Sequence, residues 1–124
     1  MATEKYKMMK SFVLDRELIL ARLGGDEEIF AMMVDLFLQD AENISISFAS
    51  ALAQGDSVVL LREAHTIKGL LATFSDEEGA AAAFAVEQQI KQGNIESLQP
   101  AVAALQRRLC EVVEVLSRET GRAG

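Results

Sequence analysis

The sequence has little of what strand-rich folds and metal sites require. Among 124 residues there are one proline, one cysteine, one histidine and no tryptophan, with six phenylalanines and one tyrosine. Strands favour β-branched and aromatic residues, whereas the abundant Ala, Leu, Glu and Gln lose little rotamer freedom in a helix, so an all-β fold is nearly excluded. A lone cysteine, Cys110, forms no internal disulfide, and one histidine leaves the usual structural zinc sets unfilled. No metal is therefore expected, and a reducing, cytoplasmic setting fits. Positive charge is also scarce: 12 Lys plus Arg stand against 19 Asp plus Glu, a formal net charge of −7. Such a surface repels phosphate backbones and anionic headgroups, so neither nucleic acid nor membrane insertion is expected. Apolar stretches such as Ala80 to Val86 fall well short of the roughly 20 residues that span a bilayer, and no signal-peptide core follows the charged N-terminus.

What is present is an ordinary globular balance, 50% hydrophobic and 25% charged, in a length typical of one domain. Residues 1–124 are read as a single domain with an ordered core over about residues 14–117 and frayed ends at Met1–Ser11 and Ser117–Gly124. Asp15 caps a short helix that Gly24-Gly25 closes, and Asp26 caps a long one whose Phe30, Met33, Phe37, Ala41, Ile44, Phe48 and Ala51 form a stripe ending at Gly55. Asp56 opens a segment from Ser57 to Phe74. Ser75 with Glu78 reads as a capping box for the next helix, which runs to Gln92 and stops at Gly93. Asn94 is read as the cap of the last segment, with Pro100 in its irregular first turn, the regular helix beginning near Gln99, and Arg107 and Arg108 pointing outward. Short connections between four amphipathic helices predict an all-α, antiparallel up-down four-helix bundle, with the short additional N-terminal helix across one end.

His65 is the only site for imidazole chemistry. At about 100° per residue, Leu60, Ala64, Ile67, Leu71 and Phe74 share an arc roughly opposite it, so His65 lies off the core stripe. Its helical neighbours are Leu61, Arg62, Lys68, Gly69 and Ala72, with Val58 two turns back. Gly69 costs about 1 kcal/mol relative to Ala in mid-helix, and on this side of the helix clearance for an approaching partner explains it better than helix packing does. Lys68 supplies a cation within reach of anything attached to the imidazole. In the following helix, Glu87 falls inside the arc of Ala80, Ala83, Phe84, Val86 and Ile90. A carboxylate there either reaches water from the bundle edge or has a buried partner.

Ala64-His65-Thr66-Ile67-Lys68-Gly69, after the Gly55-Asp56 turn, resembles the signature of histidine-containing phosphotransfer (HPt) domains. Leu23-Gly24-Gly25-Asp26, Leu36-Phe37-Leu38 and Gly93-Asn94 extend the resemblance over about residues 14–117. It departs at Leu70-Leu71, where small residues are usual, at Ser75, where a glycine is usual, and in the smooth run Ala80 to Ala83.

The resemblance implies a phosphorelay intermediate in two-component signalling, not an enzyme. His65 would accept a phosphoryl group from the aspartate of a receiver domain and pass it to another receiver, with Lys68 as electrostatic support and Gly69 giving clearance. Val58, Leu61, Arg62 and Ala72 would form the docking strip. Glu87 would orient the imidazole by accepting its Nδ1 proton. No cofactor is implied beyond the Mg²⁺ of the partner receiver. The implied partners are response-regulator receivers and a sensor histidine kinase, with the chain itself a monomer. Two other readings stay open: a helical adaptor that binds receivers without being phosphorylated, and the substrate domain of a chemotaxis-type kinase.

Overall fold

A computed structural model describes residues 9–122, and over these the chain is all-helical. The helices are α1 (Arg16–Arg22), α2 (Glu27–Gln54), α3 (Ser57–Thr73), α4 (Glu77–Lys91) and α5 (Gln99–Thr120). Four aspartates begin four of them. Asp15 accepts the amide of Leu18, Asp26 those of Glu28 and Ile29, Asp56 that of Val59 and Asp76 that of Gly79, each satisfying donors that a helix start leaves without partners. Gly55, at φ 67°, ends α2 in the left-handed conformation that glycine adopts without Cβ strain.

α2 packs against α3 and α5, and α4 packs against the same two helices, so the four longer helices close a ring of contacts. α1 rests on α2. Phe30, Phe37 and Phe48 of α2 meet Leu60, Ile67 and Leu71 of α3, Val86 and Ile90 of α4, and Leu105, Leu109 and Leu116 of α5 in one continuous core. The stripe expected on α2 is widened by Val34 and Leu38, which are buried, while Met33 and Ile44 are half-buried.

The junction between α3 and α4 differs from the sequence reading. Asp76, not Ser75, caps α4, and Ser75 adopts φ 61° with its hydroxyl accepting from Arg22 Nη1 at 2.8 Å. Both residue types cap helices, and a long-range pairing decides between them. Arg108 is not outward-facing: its side chain is 4% exposed, and Nε and Nη2 donate to the two Asp76 oxygens at 2.8 and 2.7 Å. Asp76 thus caps α4 and anchors it to α5. The arrangement holds the guanidinium high in pKa, through its hydrogen bonds to Asp76 first, against the opposing effect of burial. Gly79 completes the junction, since a Cβ there would collide with the Asp76 carboxylate and lie 2.8 Å from Leu71 Cδ1. Arg107 is exposed, as expected.

Three further readings are corrected. Asn94 does not cap α5; its amide donates to the Gln89 carbonyl at 2.9 Å and so closes α4, while α5 starts after Leu98 with no side-chain cap. Phe84 lies outside the buried arc of α4 and is 48% exposed. Of the N-terminal segment read as frayed, Met1–Met8 lie outside the described residues, but Lys10 is tied down. Its amide donates to Glu78 Oε2 at 2.6 Å and its carbonyl accepts from Arg108 Nη1 at 2.5 Å, next to a buried Phe12. At the other end α5 continues to Thr120, and Arg122 forms a two-pronged pair with Asp35. That hydrogen bonding holds the Asp35 carboxyl below the usual carboxylate range. Ala123 and Gly124 lie outside the described residues.

Candidate functional site

Helix geometry alone sends His65 outward. Leu60, Ala64, Ile67 and Leu71 bury the opposite face of α3 completely, and the imidazole is left 70% exposed. Across the α3/α4 contact, Glu87 is 4% exposed, and its Oε1 lies 3.4 Å from His65 Nδ1 and 2.9 Å from Lys68 Nζ. Oε1 is out of reach of solvent and receives no aligned hydrogen bond, so this buried charge is compensated electrostatically by the ammonium beside it. The result is a short chain of groups running inward from solvent: an open imidazole, a shared carboxylate and a cation on its flank. Lys68 and His65 are one helical step apart on α3, which brings both to the same oxygen.

The other residues singled out in the sequence distribute as follows. Val58, Arg62, Gly69 and Ala72 are exposed on the His65 side of α3, whereas Leu61 is half-buried and packs against the core. Arg62 Nε is 3.8 Å from Glu63 Oε1. A Cβ built on Gly69 meets nothing within 4 Å, so no neighbouring helix requires the glycine. Its surroundings are open on the face that carries the imidazole.

Sequence reasoning missed Phe84. Lys68 Nζ lies 5.1 Å from the centroid of its ring, which makes the aromatic a second neighbour of the ammonium. The signal was available in the helix periodicity. Centred on Ala83, Val86 and Ile90, the buried arc leaves Phe84 about 120° away, with Glu87 at its edge.

A family model for the Hpt domain matches residues 32–116, a stretch that contains His65, Lys68, Gly69, Phe84 and Glu87. The chain belongs to the Hpt domain family. No curated protein and no solved structure matches it. Membership of the Hpt family carries histidine phosphotransfer in phosphorelay signalling, and Hpt domains are phosphotransfer modules, not kinases, that work with receiver domains and kinases. Among the described residues of this Hpt domain, no helix is long and apolar enough to cross a membrane, and no group of three or more His, Cys, Asp and Glu side chains is placed to hold a metal ion.

Proposed function

We propose that His65 is the phosphoacceptor of this Hpt domain, taking a phosphoryl group from one receiver aspartate and passing it to another. The observation that carries this reading is the exposed imidazole whose Nδ1 sits 3.4 Å from a buried carboxylate. A small rotation of the imidazole would direct the Nδ1 proton at Glu87 and leave Nε2 with its lone pair toward the approaching partner. Nε2 forms the new N–P bond while the aspartyl P–O bond breaks, and its electron pair leaves with the receiver carboxylate. The imidazole then carries a positive charge that Glu87 offsets, and onward transfer reverses the step at a second aspartate. Such transfer depends on in-line positioning and charge neutralisation, to which Lys68 contributes. Mg²⁺ enters with the receiver, and this chain supplies no cofactor of its own. The closed ring of helix contacts and the short connections support an antiparallel up-down four-helix bundle. In this reading the domain works as a cytoplasmic monomer, with Val58, Leu61, Arg62 and Ala72 beside the docked receiver.

The test is incubation of the protein with a phosphorylated receiver and, separately, with a histidine-kinase catalytic domain and ATP. Label arriving from the receiver is the expected result. Label arriving only from kinase and ATP identifies a chemotaxis-type substrate domain, and receiver binding without any transfer identifies an adaptor.

Gly69→Leu probes the clearance. It stabilises α3 by about 1 kcal/mol because leucine is the better helix former, yet it slows transfer from a receiver by about tenfold or more, since small misplacements of reacting atoms are costly. A melting temperature raised together with an unchanged transfer rate would show that the glycine serves no partner. For Glu87→Ala, the ¹⁵N shifts of His65 should show the Nδ1-protonated tautomer losing population, and Glu87→Gln should retain part of it. Identical tautomer populations in wild type and Glu87→Ala would remove Glu87 from the site.

A further inference from the structure

Phe84 is a large apolar side chain left 48% exposed, outside the buried arc of α4. Single exposed apolar residues are common and mean little alone. This one is placed against the ammonium beside Glu87, with Lys68 Nζ 5.1 Å from the ring centroid and 2.9 Å from Glu87 Oε1. Glu87 and Phe84 are three residues apart on α4, so one helical step presents a carboxylate and an aromatic face to the same ammonium. The carboxylate is 4% exposed and the lysine 29%, so the pair alone would draw the lysine head inward, away from the imidazole's open side. The negative face of an aromatic ring attracts a cation, and here it offers that attraction at the solvent edge.

We propose that Phe84 is a positioning residue for Lys68, holding the ammonium at the outer edge of the Glu87 carboxylate, where it meets the phosphoryl group on His65. This rests on the phosphotransfer reading of His65. A four-carbon stem with several rotatable bonds has many positions open to it, and a cation already placed does not lose that freedom when the phosphoryl group arrives. Phe84 therefore acts through Lys68 and not through the receiver.

The experiment uses phosphoramidate as donor to the intact protein, so that no receiver docks. Nε2 of His65 attacks phosphorus, the P–N bond of phosphoramidate breaks, and ammonia departs. Two variants are compared, Phe84→Leu, which keeps apolar bulk without an aromatic face, and Phe84→Tyr, which keeps the face. In wild type the Lys68 Cε protons show an upfield ring-current shift that Phe84→Leu abolishes and Phe84→Tyr preserves. Phe84→Leu slows His65 labelling about two- to fivefold, the range of an exposed cation–π contact, and Phe84→Tyr restores it. In a Lys68→Ala background Phe84→Leu has no further effect. Equal labelling rates for wild type and Phe84→Leu, or a further slowing by Phe84→Leu in the Lys68→Ala background, would overturn the proposal. Failure of wild type to take label from any donor would instead overturn the reading of His65 on which it rests, and it would be seen before any variant is compared.

Discussion

His65→Gln is expected to abolish the acid-labile, alkali-stable phosphoryl label that transfer from a phosphorylated receiver would leave on the wild-type protein. The loss is complete, not graded, because the chain holds no second imidazole. Glutamine retains a polar side chain of similar reach on an exposed position, so the fold is undisturbed and the melting temperature stays within about 2 °C of wild type, as for most surface substitutions. Receiver binding through the proposed docking strip is expected to persist, since Val58, Arg62 and Ala72 remain in place beside the substituted residue. The measurement is radiolabel retained after alkaline and after acidic treatment, with circular dichroism as the control for folding. Alkali-stable label persisting in His65→Gln would show that the phosphoryl group sits elsewhere.

The second large effect is on stability. Arg108→Met removes the cation that faces Asp76, leaving a carboxylate buried to 2% exposure without its partner, together with a Lys10 carbonyl and a Glu111 carboxylate that lose the same guanidinium. Breaking a buried ion pair from one side costs about 3–5 kcal/mol, which for a domain of this size lowers the melting temperature by roughly 10–20 °C. Adding Asp76→Asn should recover much of the loss. The asparagine oxygen still caps α4 by accepting from Gly79, and no uncompensated charge stays buried. Urea denaturation of the two single variants and the double variant gives the coupling directly. Additive effects would mean that the guanidinium and the carboxylate contribute independently, contrary to their two-pronged geometry. His65 lies outside this junction, so a folded Arg108→Met population still accepts label.

The divide between what the sequence determined and what only tertiary structure decided follows the range of the forces involved. Helix starts at Asp15, Asp26 and Asp56, and the break at Gly55, rest on interactions between residues a few positions apart, and they could be read directly. So could the outward direction of His65, because 3.6 residues per turn and the positions of Leu60, Ala64, Ile67 and Leu71 leave the imidazole no other face. The Ser75 and Asp76 assignment could not, since both side chains cap helices equally well locally and Arg108, 32 positions away, selects the aspartate. The same holds for Arg108 itself: beside an exposed Arg107 it looks like surface charge until a buried acceptor is placed opposite it. At the site, periodicity puts Glu87 near the buried arc, but its shared approach to His65 and Lys68, and the ring of Phe84 against that ammonium, depend on how α4 is rotated about its axis against α3. That rotation is set by packing summed over the whole core, and no short window of sequence contains it.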